Sequence, residues 1–111
     1  MNKNKTELIQ YPIGNLEISY KIPSTITSIE SWAFYYAKSL IYITIPSSVK
    51  IIRNNAFGYC SSLRNLIFEG TSEPNCDYET FTGSLVVTFS FPNGYCENSF
   101  CDKSVEQTLS C

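Results

Sequence analysis

The sequence predicts a right-handed, β-rich solenoid, and three observations carry that prediction. First, residues 22–44 (IPSTITSIESWAFYYAKSLIYIT) are written again at the same spacing as residues 45–67 (IPSSVKIIRNNAFGYCSSLRNLI). Nine of the 23 aligned positions are identical, running from Ile22/Ile45, Pro23/Pro46 and Ser24/Ser47 through Ala33/Ala56 and Phe34/Phe57 to Ser39/Ser62 and Leu40/Leu63, where ordinary residue frequencies give about one or two by chance. A fixed period of this size is the mark of stacked coils. Second, each repeat strand alternates before a proline: in SLIYITIP, Leu40, Ile43 and Ile45 mark a buried face and Tyr42 and Thr44 stand between them. Third, NAFGYCSSL places Ala56, Phe57 and Cys60 at one helical turn's spacing, which is too short for an independent helix and fits a single helical or 3₁₀ turn.

In chain order, LIQYPIGNLEISYKIP reads as a divergent first coil. Leu16, Ile18, Tyr20 and Ile22 alternate as in a strand, one residue out of register with the later copies and with no Ala-Phe element. We assign residues 8–21 to an amino-terminal cap, 22–44 and 45–68 to two regular repeats, and 69–111 to a carboxy-terminal capping segment, all within one domain spanning 1–111. Pro46 cannot donate to a ladder, so it ends its strand, and Ser47 and Ser48 supply turn chemistry. Val49 and Ile52 form the next short apolar pair. Beyond Leu66 and Phe68, GTSEPNC is turn-rich, ETFTGSLVVTFSFP is β-prone, and Asn93-Gly94 suits a turn because both residues accept positive φ.

Composition narrows the function. The chain has 111 residues, eight Lys and Arg against ten Asp and Glu, and a net charge of −2, so it shows no electrostatic footprint for nucleic acid. No apolar leader is legible at the amino terminus, and apolar runs such as LIYITI fall far below the ~18–20 residues of a bilayer span. Histidine is absent, which removes the commonest general base and zinc ligand. The carboxylates at Glu73, Asp77 and Glu79 cluster in a loop that we read as solvated, lacking the ordered oxygen spacing of a calcium site. We expect no catalytic residues, no metal and no cofactor.

Five cysteines are many for this length. Cys60 aligns with Ala37, so it is read as a small buried apolar group. Cys76, Cys96, Cys101 and Cys111 lack the paired CxxC spacing of a zinc knuckle. A disulfide-stapled cap is the better reading, with a bridge from Cys76 to Cys96 or Cys101 favoured; free thiols in a reducing compartment are the alternative. Asn4-Lys5-Thr6 is a glycosylation sequon that matters only in a secreted chain.

With these residues laid out, the repeat IPSxVxxIxxxAFxxCxSLxxI resembles the BspA-like leucine-rich repeats of bacterial and protist surface proteins, over roughly residues 8–101. The resemblance implies a leucine-rich repeat solenoid with an adhesion or recognition role at a cell surface or in the secreted state; with no visible leader, a cytoplasmic location is the alternative. The residues themselves point to the outward face of the strand array: Glu17 and Ser19, then Ile41, Tyr42 and Thr44, then Arg64, Asn65 and Ile67. Tyr and Arg are enriched in binding hot spots, so Tyr42 and Arg64 lead the candidates for contacting a protein or glycan ligand. Trp32, Tyr35, Tyr36 and Tyr59 fall on the turns, either covering the convex surface or meeting a neighbouring chain. Self-association through the solenoid ends is a further expected partner mode. A structural fragment of a larger array is the competing reading, and an enzyme ranks last.

Overall fold

A computed structural model describes residues 6–12, 14–77, 79–86, 88–97, 99–101 and 103–104. Two parallel sheets run side by side along a stack of about four coils. The longer sheet is ordered β2 (Ser19–Lys21), β4 (Tyr42–Ile45), β6 (Asn65–Phe68), β8 (Thr88–Ser90), and the shorter is β1 (Glu7–Leu8), β3 (Ser28–Ile29), β5 (Ile51–Ile52), β7 (Asn75–Cys76). An antiparallel pair, β9 (Ser99–Phe100) and β10 (Lys103–Ser104), follows.

The sequence period is the sheet register. Ser19 pairs with Tyr42, Tyr42 with Asn65 and Asn65 with Thr88, so every step of the long sheet is 23 residues. The short sheet is less regular, stepping from Leu8 to Ile29, Ile52 and Cys76, that is by 21, 23 and 24 residues. The first coil corrects one expectation. Although Leu16 and Ile18 alternate with Tyr20 as a strand would, β2 keeps the common 23-residue step. Tyr20 therefore takes the place of Ile43, and Leu16 and Ile18 are left 81% and 55% exposed. A one-residue slip would turn the whole strand inside out, so the need to stack Tyr20 and Ile22 inward decides the register.

No helix occurs among the described residues. The Ala-Phe element is a succession of i→i+3 turns, in which Ala56 N donates to Arg53 O at 3.3 Å and Gly58 N to Asn55 O at 3.0 Å. Positive φ at Asn55 (57°) and Tyr59 (54°), and at Trp32 (65°) and Tyr36 (60°) one coil earlier, stops a helix from propagating. The intervening amides bond between coils instead: Tyr11 N to Ala33 O, Phe34 N to Ala56 O and Phe57 N to Thr80 O, at 2.7, 2.7 and 3.0 Å.

Because equivalent positions stack, each repeat residue builds a row. Tyr11, Phe34, Phe57 and Phe81 form a column of rings, with successive centroids 5.0, 5.0 and 5.5 Å apart and planes within 27°. Ile22, Ile45 and Phe68, and Leu40, Leu63 and Val86, are buried at matching positions beside it. At the carboxy end Tyr95 and Phe100 are fully buried and pack against Phe68. Cys76 is bridged to Cys101 with Cα atoms 5.1 Å apart, one of the two pairings favoured from sequence; Cys96 is exposed, and Cys111 and the sequon Asn4 lie outside the described residues. Glu73 departs from the solvated loop expected for it. Its carboxylate accepts from Ser99 Oγ at 2.9 Å and Cys101 N at 2.9 Å, while its own amide donates to Glu97 Oε2. The hairpin end is thereby tied to the loop that precedes β7.

Cys60 is free and fully buried, its thiol donating to Phe34 O at 3.0 Å. Burial pushes the thiol up from 9.0 to about 11, against smaller lowering contributions from Ala37 and Ser84. The fold thus favours the protonated thiol. Its contribution is fully present below about pH 9, where both folded and unfolded chains are protonated, and is lost as pH rises to about 11. Burial raises the phenols of Tyr11, Tyr20 and Tyr95 in the same direction. Thermal melts across this range should show an alkaline decline. Cys60→Ala, which copies Ala37, should flatten it by about 2 kcal/mol; an equally steep decline in that variant would refute the assignment.

Candidate functional site

The outward face of the long sheet is built by the pleat. With Tyr20, Ile43, Leu66 and Phe89 directed to the core side, their neighbours must point the other way. The register sets two rows across the four strands: Ser19, Tyr42, Asn65 and Thr88, then Lys21, Thr44, Ile67 and Ser90. A third row precedes the strands, where Ile41 N donates to Ile18 O at 2.7 Å and Arg64 N to Ile41 O at 3.1 Å. All six strand-face residues singled out from the sequence, Ile41, Tyr42, Thr44, Arg64, Asn65 and Ile67, therefore fall on two adjacent coils of one surface. Tyr42 and Arg64 are exposed, and the other four are half-buried.

The face has its own electrostatics. Arg64 Nη1 donates to Ser61 O and Leu63 O at 3.0 and 3.2 Å. Those bonds hold the guanidinium at the strand entrance through Nη1. Across the opposite edge, Lys21 Nζ lies 3.8 Å from Glu69 Oε2, an exposed pair of small energetic weight. Sequence reasoning missed both Lys21 and Glu69, because only the register shows that the first coil's lysine lies over the third strand's exit.

Two hollows are formed by described residues. One, of about 390 Å³, is lined by Ile67, Phe68, Glu69, Ser90, Phe91 and Pro92 at the strand exits. The other, of about 660 Å³, lies against residues 79–85 and Cys101 at the carboxy end. Among the described lining residues each has one carboxylate, Glu69 or Glu79. Among the described residues no three His, Cys, Asp or Glu side chains converge as a metal site would need, and no helix is long and apolar enough to cross a membrane.

Residues 14–106 match a family model described as the BspA-type leucine-rich repeat region (6 copies). The chain belongs to the BspA-type leucine-rich repeat family. No curated protein and no solved structure matches it. The 23-residue register is thus a BspA-type repeat wound as a solenoid, with Ile22, Pro23 and Ser24 and their equivalents marking the exit of each long strand. BspA-type repeats are commonly protein-binding or adhesion modules, and generally serve as scaffolds without catalytic groups.

Proposed function

We propose that this chain is a non-catalytic binding module that recognises a protein or glycan ligand through the outward face of its long sheet, in an adhesion role at a cell surface or in a secreted state. The observation that carries the reading is the outward face of the four-stranded sheet, on which Tyr42 and Arg64 stand exposed on neighbouring coils. Rigid parallel strands hold such side chains in register, so little ordering is lost when a ligand docks. The family assignment supports a binding scaffold, and the Cys76–Cys101 bridge suits an oxidising compartment.

Beads coated with the folded protein should attach to host cells or extracellular matrix. Tyr42→Ala combined with Arg64→Ala should weaken attachment about tenfold or more while leaving the thermal midpoint within a few degrees of the parent. Unchanged attachment by a folded double variant sinks the proposal.

A second reading rests on the amino end, where Leu16 and Ile18 stand exposed beside β2. They suit stacking against another coil, in a larger array or a second copy. Light scattering separates the two: a monomer across micromolar concentrations favours the ligand-binding module, and concentration-dependent association favours stacking.

A further inference from the structure

Leu16, Ile18, Tyr20 and Ile22 alternate as a strand with one apolar face, yet the chain uses only half of that face. Ile22 is buried and Tyr20 half-buried, whereas residues 16–19 are a run of exposed positions, Leu16 and Ile18 the most apolar among them. The backbone beside them is open as well. β2 ends the long sheet, and among the described residues no strand pairs with its outer edge. Toward β4, Ile18 O accepts from Tyr42 N and Ile22 N donates to Thr44 O, both at 3.0 Å. By the alternation of a strand, the amides and carbonyls of Ser19 and Lys21 face the other way, out of the sheet. Such an edge is a template for another chain.

The opposite end of a second copy has no seat for it. There the carboxy-terminal segment already fills the place of a further coil: Tyr95 stacks on Phe91 with centroids 4.0 Å apart, and Phe100 lies against Phe68, Phe89 and Phe91. What a second copy has left to offer is the same β2 edge.

We propose that two copies pair head to head through β2, antiparallel about a two-fold axis at Ser19; this rests on the stacking reading of Leu16 and Ile18 and fixes its partner and register. An isologous contact of this kind closes at two. The charges of the strand select the register. With Ser19 facing its own copy, Glu17 lies opposite the partner's Lys21 at both ends of the pairing, a favourable cross-strand pair. Ile18 then meets the partner's Tyr20 and Leu16 the partner's Ile22, so the unused half of the alternation covers the used half. An axis at Tyr20 would instead set Glu17 opposite the partner's Pro23, which has no N–H to donate, and an axis at Lys21 would set two ammonium groups face to face. Lys21 Nζ, 3.8 Å from Glu69 Oε2, and Glu17 N, 2.9 Å from Asn15 Oδ1, are held within the chain only by exposed contacts that yield at little cost. Because Ser19, Tyr42, Asn65 and Thr88 share one row, that row continues through the axis across every long strand of both copies.

Analytical ultracentrifugation of the full chain should show a monomer–dimer equilibrium that stops at two, with a midpoint in the micromolar range. Glu17→Lys or Lys21→Glu alone places like charges opposite each other twice and should weaken association at least tenfold, with thermal midpoints kept because both sites are exposed. An equimolar mixture of the two variants regains both ion pairs and should dimerise as the parent does. The proposal is overturned by undiminished association of the single variants, or by a mixture that stays monomeric. Growth past two without response to either charge reversal also overturns it but leaves the stacking reading standing, and Leu16→Ser with Ile18→Ser should then abolish the growth. A parent chain that stays monomeric up to millimolar concentration overturns both.

Discussion

Phe57→Ala is expected to destabilise the fold by about 3–5 kcal/mol, the usual cost of truncating a fully buried phenylalanine. Phe57 has no exposed surface and lies between Phe34 and Phe81 in the ring column. In a solenoid each coil contacts only its neighbours, so a hole in the central coil disconnects two interfaces at once. A domain of this size has about 5–15 kcal/mol to lose, and the thermal midpoint should drop by about ten degrees or more. Tyr42→Ala, half-exposed on the sheet, is the matched control, with an expected change of about 0.5 kcal/mol or less. Urea denaturation followed by circular dichroism measures both. A loss below about 1 kcal/mol for Phe57→Ala would mean that the ring column is not what holds the coils together.

The second large effect is expected at the carboxy end. Replacing both members of the bridge, Cys76→Ala with Cys101→Ala, opens a loop with a sequence separation of 25 and should cost about 3 kcal/mol through the added freedom of the unfolded chain. The double variant is preferable to reductant because it leaves the other cysteines untouched. Part of the closure should survive. Glu73 still receives Ser99 Oγ and Cys101 N, and Phe100 remains packed at a tilt against Phe68 and Phe89. Denaturant unfolding of the variant should therefore stay a single transition at lower midpoint. An unchanged midpoint would show that the hydrogen bonds and rings close the end unaided.

These two sites differ in how legible they are. Phe57 is marked by its repetition: Phe34 and Phe57 share a place in the period, and a repeated aromatic in a repeat array is core because stacking superimposes equivalent positions. Phe81 belongs to the same column but is 24 residues on, after a loop one residue longer. That slip, together with Thr80 in place of the alanine, conceals it in the sequence. The bridge was legible only as a choice of partners, because spacing along the chain does not determine which sulfur atoms meet.

The sequence by itself determined the period, the parallel stacking it demands, the inward residues of the two central repeat strands and the burial of Cys60, because a 23-residue repeat superimposes like on like. Only the tertiary structure decided how the first coil joins the array, where Tyr20 and not the Leu16/Ile18 alternation sets the register. It also decided that Cys101 takes Cys76, that Lys21 reaches Glu69 across the strand face, and that left-handed turns hold Trp32, Tyr36 and Tyr59 in one cluster. The physical reason is common to all four. Local pattern specifies which side of an element is buried, whereas contacts between different coils depend on small offsets in the loops, and those offsets are resolved only when the whole stack closes.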